Sequence, residues 1–173
     1  KKIVDAKYAS LKFEEFYGYV PEKLFKLMGA TLISLAKIKV EGLPFGISGS
    51  TKNLFGLIPN LSRMSYHGEA HEKIPQAILD INKVYRALFD TVFILEGVNT
   101  AIKDYMTKDT LVKGWGQIIG GKNSVEVDSI ACSMNNIDAD KVPYLQLAKE
   151  NFGNFDLGIL DKIPMEFRKP LGT

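Results

Sequence analysis

The sequence predicts an α/β fold: a layered, Rossmann-like sheet, mixed or mostly parallel, with flanking helices. Three stretches carry that prediction. ATLISLAKIKV (30–40) and DTVFILEG (90–97) are apolar runs of strand length, and between them PQAILDINKVYRALF (75–89) spaces its apolar residues as a helix does. Alternation of strands and helices is the pattern of layered α/β architecture. A chain of 173 residues suits one domain with a sizeable core, so residues 1–173 are read as a single domain. The opening residues, KKIVDAKY, lack an initiating Met, and the chain is read as a portion of a longer pattern shortened at its N-terminus.

Taken in order, PEKLFKLMG (21–29) reads as a short helix, with Pro21 in the first turn and Gly29 as its stop. ATLISLAKIKV then reads as a buried strand that ends on Lys37 and Lys39, whose i,i+2 spacing puts both on one strand face. In the helix over 75–89, Ile78, Ile81, Val84, Tyr85 and Leu88 form one apolar face. DTVFILEG reads as a central strand delivering Glu96 to the carboxyl edge of the sheet, where open α/β folds bind ligands. VEVDSIACSMNNID (125–138) reads as a helix capped near Asn123 or Ser124, and DKVPYLQLAKENFG (140–153) as another that stops at Gly153.

Composition narrows the function classes. Hydrophobic residues at 46% and charged residues at 24% are ordinary for a globular domain and exclude a disordered chain. Twenty-two basic against 20 acidic residues leave a net charge of +2, too little for a broad nucleic-acid or anionic-membrane footprint. No apolar run has the length of a membrane span. The single cysteine, Cys132, cannot form an internal disulfide, and no Cys/His set has zinc spacing, so a cytoplasmic setting without metal is expected. Nothing in the sequence sets an oligomeric state.

The stretch GISGSTKN (46–53) holds the ingredients of an anion cradle: Gly46 and Gly49 to let backbone N–H groups approach, Lys52 for charge, and an apolar run beyond. It lacks the GxxxxGK[ST] spacing of a nucleotide triphosphate loop. Cradle and plain turn both stay open on the local pattern. Lys37 and Lys39 upstream, and His67 and His71 downstream, favour a site for a small carboxylate or phosphate; the alternative is strand-end lysines in water. The two histidines are spaced to share a metal on a helix, but SYHGEAHEK contains a glycine and offers only Glu69 and Glu72 nearby, so surface histidines are expected. Asp80 reads as a helix-surface carboxylate or a general base, Asp128 as a dipole-favoured charge in a helix's first turn or a proton carrier, and Cys132 as packed and inert.

These segments together, ISLAKIKVEG, GISGSTKNLFGLIPN, ILDINKV, FILEGVNT and SVEVDSIACSMNNIDADKVPYLQLAKENFG, resemble the "domain of unknown function 362" family over roughly residues 27–158. The resemblance implies functional positions at Lys37 and Lys39, at the segment KNLFGLIP with Lys52 and Asn53, and at His67, Asp80 and Asp128. This chain departs from the family pattern at Val40–Glu41, where Thr-His is usual, at Glu96–Gly97 in place of Asp-Gly, and at Gly114–Gln117 in place of Gly-x-Gly-Pro. Family members are often joined to a ferredoxin-like iron–sulfur module, which a single cysteine rules out here. Two readings follow: an enzyme or ligand-binding domain for a small anion, with Lys37, Lys39, Lys52, Asn53, Gly46 and Gly49 binding and His67, Asp80 or Asp128 moving protons, or a non-catalytic structural or partner-docking module associated with an electron-transfer protein.

Overall fold

The computed structural model describes residues 20–40, 46–58, 60–69, 71–102, 111–153 and 156–168. Pro21 opens a single helical turn, α1 (Glu22–Phe25), and Gly29 ends the following turn at φ 89°, a conformation that glycine adopts without a side-chain clash. The Gly29 amide donates to the Leu88 carbonyl at 2.8 Å, which seats the start of β1 (Thr31–Val40) beside the end of the longest helix.

β1 is buried on one face only. Ser34, Ala36 and Ile38 point into the core, while Ile33 and Leu35 are 61% and 64% exposed. An apolar run suggests burial on both faces, but the period of two in a strand hides that, among the described residues, one face packs on helices and the other leaves Ile33 and Leu35 exposed. β2 (Ile47–Ser48) pairs antiparallel with the end of β1, Lys39 opposite Ser48. The chain then folds through α2 (Ser50–Asn53), a 3-10 turn (Leu54–Leu57), α3 (Asn60–Ser65) and α4 (Ile74–Leu88) before returning as β3 (Asp90–Ile102).

β3 runs parallel to β1 from Thr31 opposite Asp90 to Lys37 opposite Glu96. The sequence ends this strand at Gly97; the structure carries it on to Ile102, so Glu96 lies within the strand and not at its edge. A bulge makes this possible. Between Lys37 and Lys39 the register jumps to Ala101, and Gly97 sits under the Trp115 ring, where a Cβ would overlap the indole. The Gly97 amide and carbonyl bind Gln117 and Trp115, which holds β3 bent at that point. β4 (Leu111–Lys113) and β5 (Ile118–Gly121) both pair antiparallel with β3, giving a mixed five-stranded sheet in the order β2-β1-β3-β4 with β5 also on β3.

The predicted α4 face is buried in full, and so are Leu79, Asp80, Asn82 and Lys83 on its other side. α4 is therefore a central helix, not a surface one: Leu79 packs with Val125 of α5 (Ser124–Met134) and Ala148 of α6 (Pro143–Phe152). Asn123 caps α5, its Oδ1 accepting from the Val125 amide at 3.1 Å, and α5 stops at Met134, earlier than the sequence suggests. Gly153, at φ 91°, ends α6. Two further 3-10 turns, Leu157–Lys162 and Met165–Phe167, complete the described chain. Among the described residues no helix is long and apolar enough to cross a membrane.

Candidate functional site

GISGSTKN folds into β2, a link at Gly49 and the four residues of α2. Gly46 needs its positive φ of 64°, and a Cβ there would press on Val142 at 3.0 Å. Gly49 has ordinary extended torsions; it must be glycine because a Cβ would overlap the Asp128 carboxylate. That carboxylate accepts from the Ser50 amide at 2.6 Å on Oδ1 and from the Thr51 amide at 2.8 Å on Oδ2. The loop does cradle an anion, and the anion belongs to the chain itself.

From the other side, Asn82 of α4 donates to the Thr51 carbonyl at 2.8 Å, and Tyr144 of α6 donates its hydroxyl to the Ile47 carbonyl at 2.7 Å. Three helices thus hold one loop. Asp128 is fully buried, and burial pushes its carboxyl up to about 6 against the backbone N–H groups of Thr51 and Ser50, which pull it down. Asp80 is not a surface carboxylate either. It is buried at the centre of α4, with Lys83 Nζ at 3.3 Å and Gln76 donating to Oδ1 at 3.0 Å. A carboxylate in that position persists because it is paired.

The strand-end lysines have a different setting. Lys37 lies on the open face with Ile33 and Leu35, forms an ion pair with Glu96 and donates to the Asn99 carbonyl at 3.0 Å. The Lys37 ammonium and the Val98 amide hold the Glu96 carboxyl below its usual range. Across the bulge, Lys39 pairs in register with Ser48 of β2. Lys52 and Asn53 stand on α2. Asn53 ties α2 to β1, its amide donating to Ser34 Oγ at 2.9 Å and the Leu35 carbonyl at 3.3 Å. Lys52 acts elsewhere, on His67.

His67 and His71 are not on a helix. His71 takes φ 63°, and the Nδ1 atoms of the two rings face each other at 2.9 Å. Phe55 lies 6.0 Å from the His67 ring. Burial, then the charges of His71, Lys52 and Arg63, hold the His67 imidazole below its usual range. The sequence reading missed Arg63, which stands four residues before His67, and missed Asn82. Charge spacing in NLSRMSYHGEAH was a usable signal for the first; no local signal marks the second. Among the described residues no group of three or more His, Cys, Asp or Glu is placed to hold a metal ion. Cys132 is buried, and burial pushes its thiol up.

A family model, Domain of unknown function (DUF362), matches residues 19–133, more than half of the chain. The chain belongs to this family. No curated protein and no solved structure matches it. Within this DUF362 domain the match takes in both histidines, the glycine loop and Asp128, and ends just past Cys132. A separate open cleft of about 550 Å³ runs along β5, lined by Ile118, Ile130, Met134, Ile159 and Phe167 with no charged side chain. Among the described residues, the setting of His67, on which the charges of Lys52 and Arg63 bear, thus differs chemically from the apolar region on the sheet and beside β5.

Proposed function

We propose that this DUF362 domain binds a small anion, a carboxylate or phosphate, at the corner formed by Lys52, Arg63 and His67. One observation carries the reading: the partly buried His67, whose Nδ1 faces that of His71 at 2.9 Å, lies in the positive field of Lys52 and Arg63, which favours a negative ligand. Lys37 is left out of this reading because it pairs with Glu96. Of the three groups expected to move protons, Asp80 and Asp128 are fully buried and His67 is not. His67 is therefore the group for proton transfer to a bound molecule.

NMR titration of the His67 imidazole with sulfate, phosphate and acetate tests the reading. Bound anion should raise the pH at which His67 titrates, and Lys52→Met should weaken binding by roughly 1.5 to 3 kcal/mol, the worth of a charge-assisted hydrogen bond. A His67 titration that none of these anions moves would remove the site.

A second reading, a non-catalytic docking module, is favoured by the exposure of Ile33, Leu35 and Ile118, which lies 68% open on β5. These side chains share one sheet face, because Leu35 pairs across to Ile94, and Glu96 pairs on to Ile118. Adding a ferredoxin-type iron–sulfur module should then slow hydrogen exchange in β1 and β5. Unchanged exchange rates would count against docking.

A further inference from the structure

The two facing imidazoles impose a constraint on the corner that a lone histidine would not. With Nδ1 atoms 2.9 Å apart, one ring must carry its proton on Nδ1 while the other presents a lone pair. Protonating both would set N–H against N–H at that distance and place two imidazolium charges beside Lys52 and Arg63. The arrangement is also held at some cost, since His71 is one of two non-glycine residues with positive φ among the described residues.

We propose that the His67–His71 pair makes the anion corner proton-coupled: binding of an anion draws a second proton onto the pair, so the site tightens as pH falls and prefers a dianion to a monoanion. This rests on the anion reading above. An anion supplies the counter-charge that two imidazolium rings need, and once both Nδ1 atoms carry protons their mutual hydrogen bond is replaced by two donors facing the ligand. The surrounding groups act in a defined direction. Lys52 of α2 and Arg63 of α3 oppose the second proton; Glu72, next to His71 in the chain, favours it. The Glu72 carboxylate lies against Gly68, beside His67 in the chain, and is an internal competitor for an external anion. Phe55 packs beside His67 and contributes no charge.

Sulfate keeps its charge through this pH range, so any pH dependence belongs to the protein. Calorimetry in two buffers of different ionisation enthalpy should show protons taken up with sulfate, and affinity should rise by up to about tenfold per pH unit on going from about pH 8 to pH 6. Acetate should bind more weakly and take up fewer protons. Asn tolerates positive φ, so His71→Asn should fold; it should bind sulfate with little proton uptake and a flat pH profile. In the free protein, the two imidazoles should titrate in two separated steps, and the His71→Asn variant in one. Sulfate binding without proton uptake would overturn the coupling and leave the anion reading standing. Absence of sulfate binding at any pH would overturn both, and a free protein whose imidazoles titrate together would overturn the pairing itself.

Discussion

Asp128 and Glu96 each close on donors that the sequence read alone offers to an external anion, and they do so in opposite surroundings. Asp128 meets the amides of the glycine loop with no solvent exposure. Glu96 meets Lys37 on the open sheet face, where the lysine side chain is 48% exposed. Burial drives the Asp128 carboxyl up despite its hydrogen bonds, while the Lys37 ammonium pulls the Glu96 carboxyl down. The same functional group thus becomes a structural element in one place and a surface charge pair in the other. Desolvation, not the number of partners, makes the difference.

The sharpest break of this comparison is Asp128→Ala. It leaves the Ser50 and Thr51 amides buried without an acceptor, and should destabilise the domain by about 4 kcal/mol, read by chemical denaturation. A loss no larger than that of a surface substitution would show that the loop relaxes freely into water.

Acid titration separates the two carboxylates by sign. Folding raises Asp128 from 3.8 to about 6, so the folded state holds more protons between those values. Its contribution to stability is full below about pH 4 and declines by on the order of 3 kcal/mol as pH rises through 6. Glu96 is lowered from 4.5, so its contribution is present above that value and is lost on acidification. Stability curves of wild type, Asp128→Asn and Glu96→Gln should therefore diverge in opposite directions as pH falls. Parallel curves would contradict the contrast.

Gly49→Ala sharpens the inner site further. The added methyl overlaps Asp128 Oδ1 and should cost about 2 kcal/mol, yet much less in an Asp128→Ala background. Additive losses in the double variant would mean that glycine serves the backbone and not the contact. Smallest of all, Glu96→Gln at neutral pH should cost less than about 1 kcal/mol, because Lys37 stays solvated.

Local patterns were legible in the sequence, and distant partners were not. The period of α4, the Asn123 cap and the glycine stops at Gly29 and Gly153 depend on neighbours a few residues away. β4 and β5 escaped notice because they are short, and IIGG carries little strand signal. The exposure of Ile33 and Leu35 was hidden because an apolar strand reads alike whether one face or both are covered. For the site, the loop's taste for an anion was visible in its glycines, but the identity of that anion was not: Asp128 lies 78 residues from Ser50. Likewise the left-handed turn at His71, which brings the rings together, has no mark in SYHGEAHEK.

That 78-residue separation has a consequence for how the chain reaches its native state. Residues 46–53 are made long before α5, and the Tyr144 hydroxyl that also holds the loop is 97 residues from Ile47. During synthesis the loop has no internal anion to organise it until α5 and α6 have emerged and docked. Contacts closed across such spans tend to form after the folding barrier, so they set how slowly the molecule comes apart more than how quickly it comes together. The Asp128 latch then acts as a lock on lifetime: its loss should show mainly as faster unfolding, with refolding nearly unchanged.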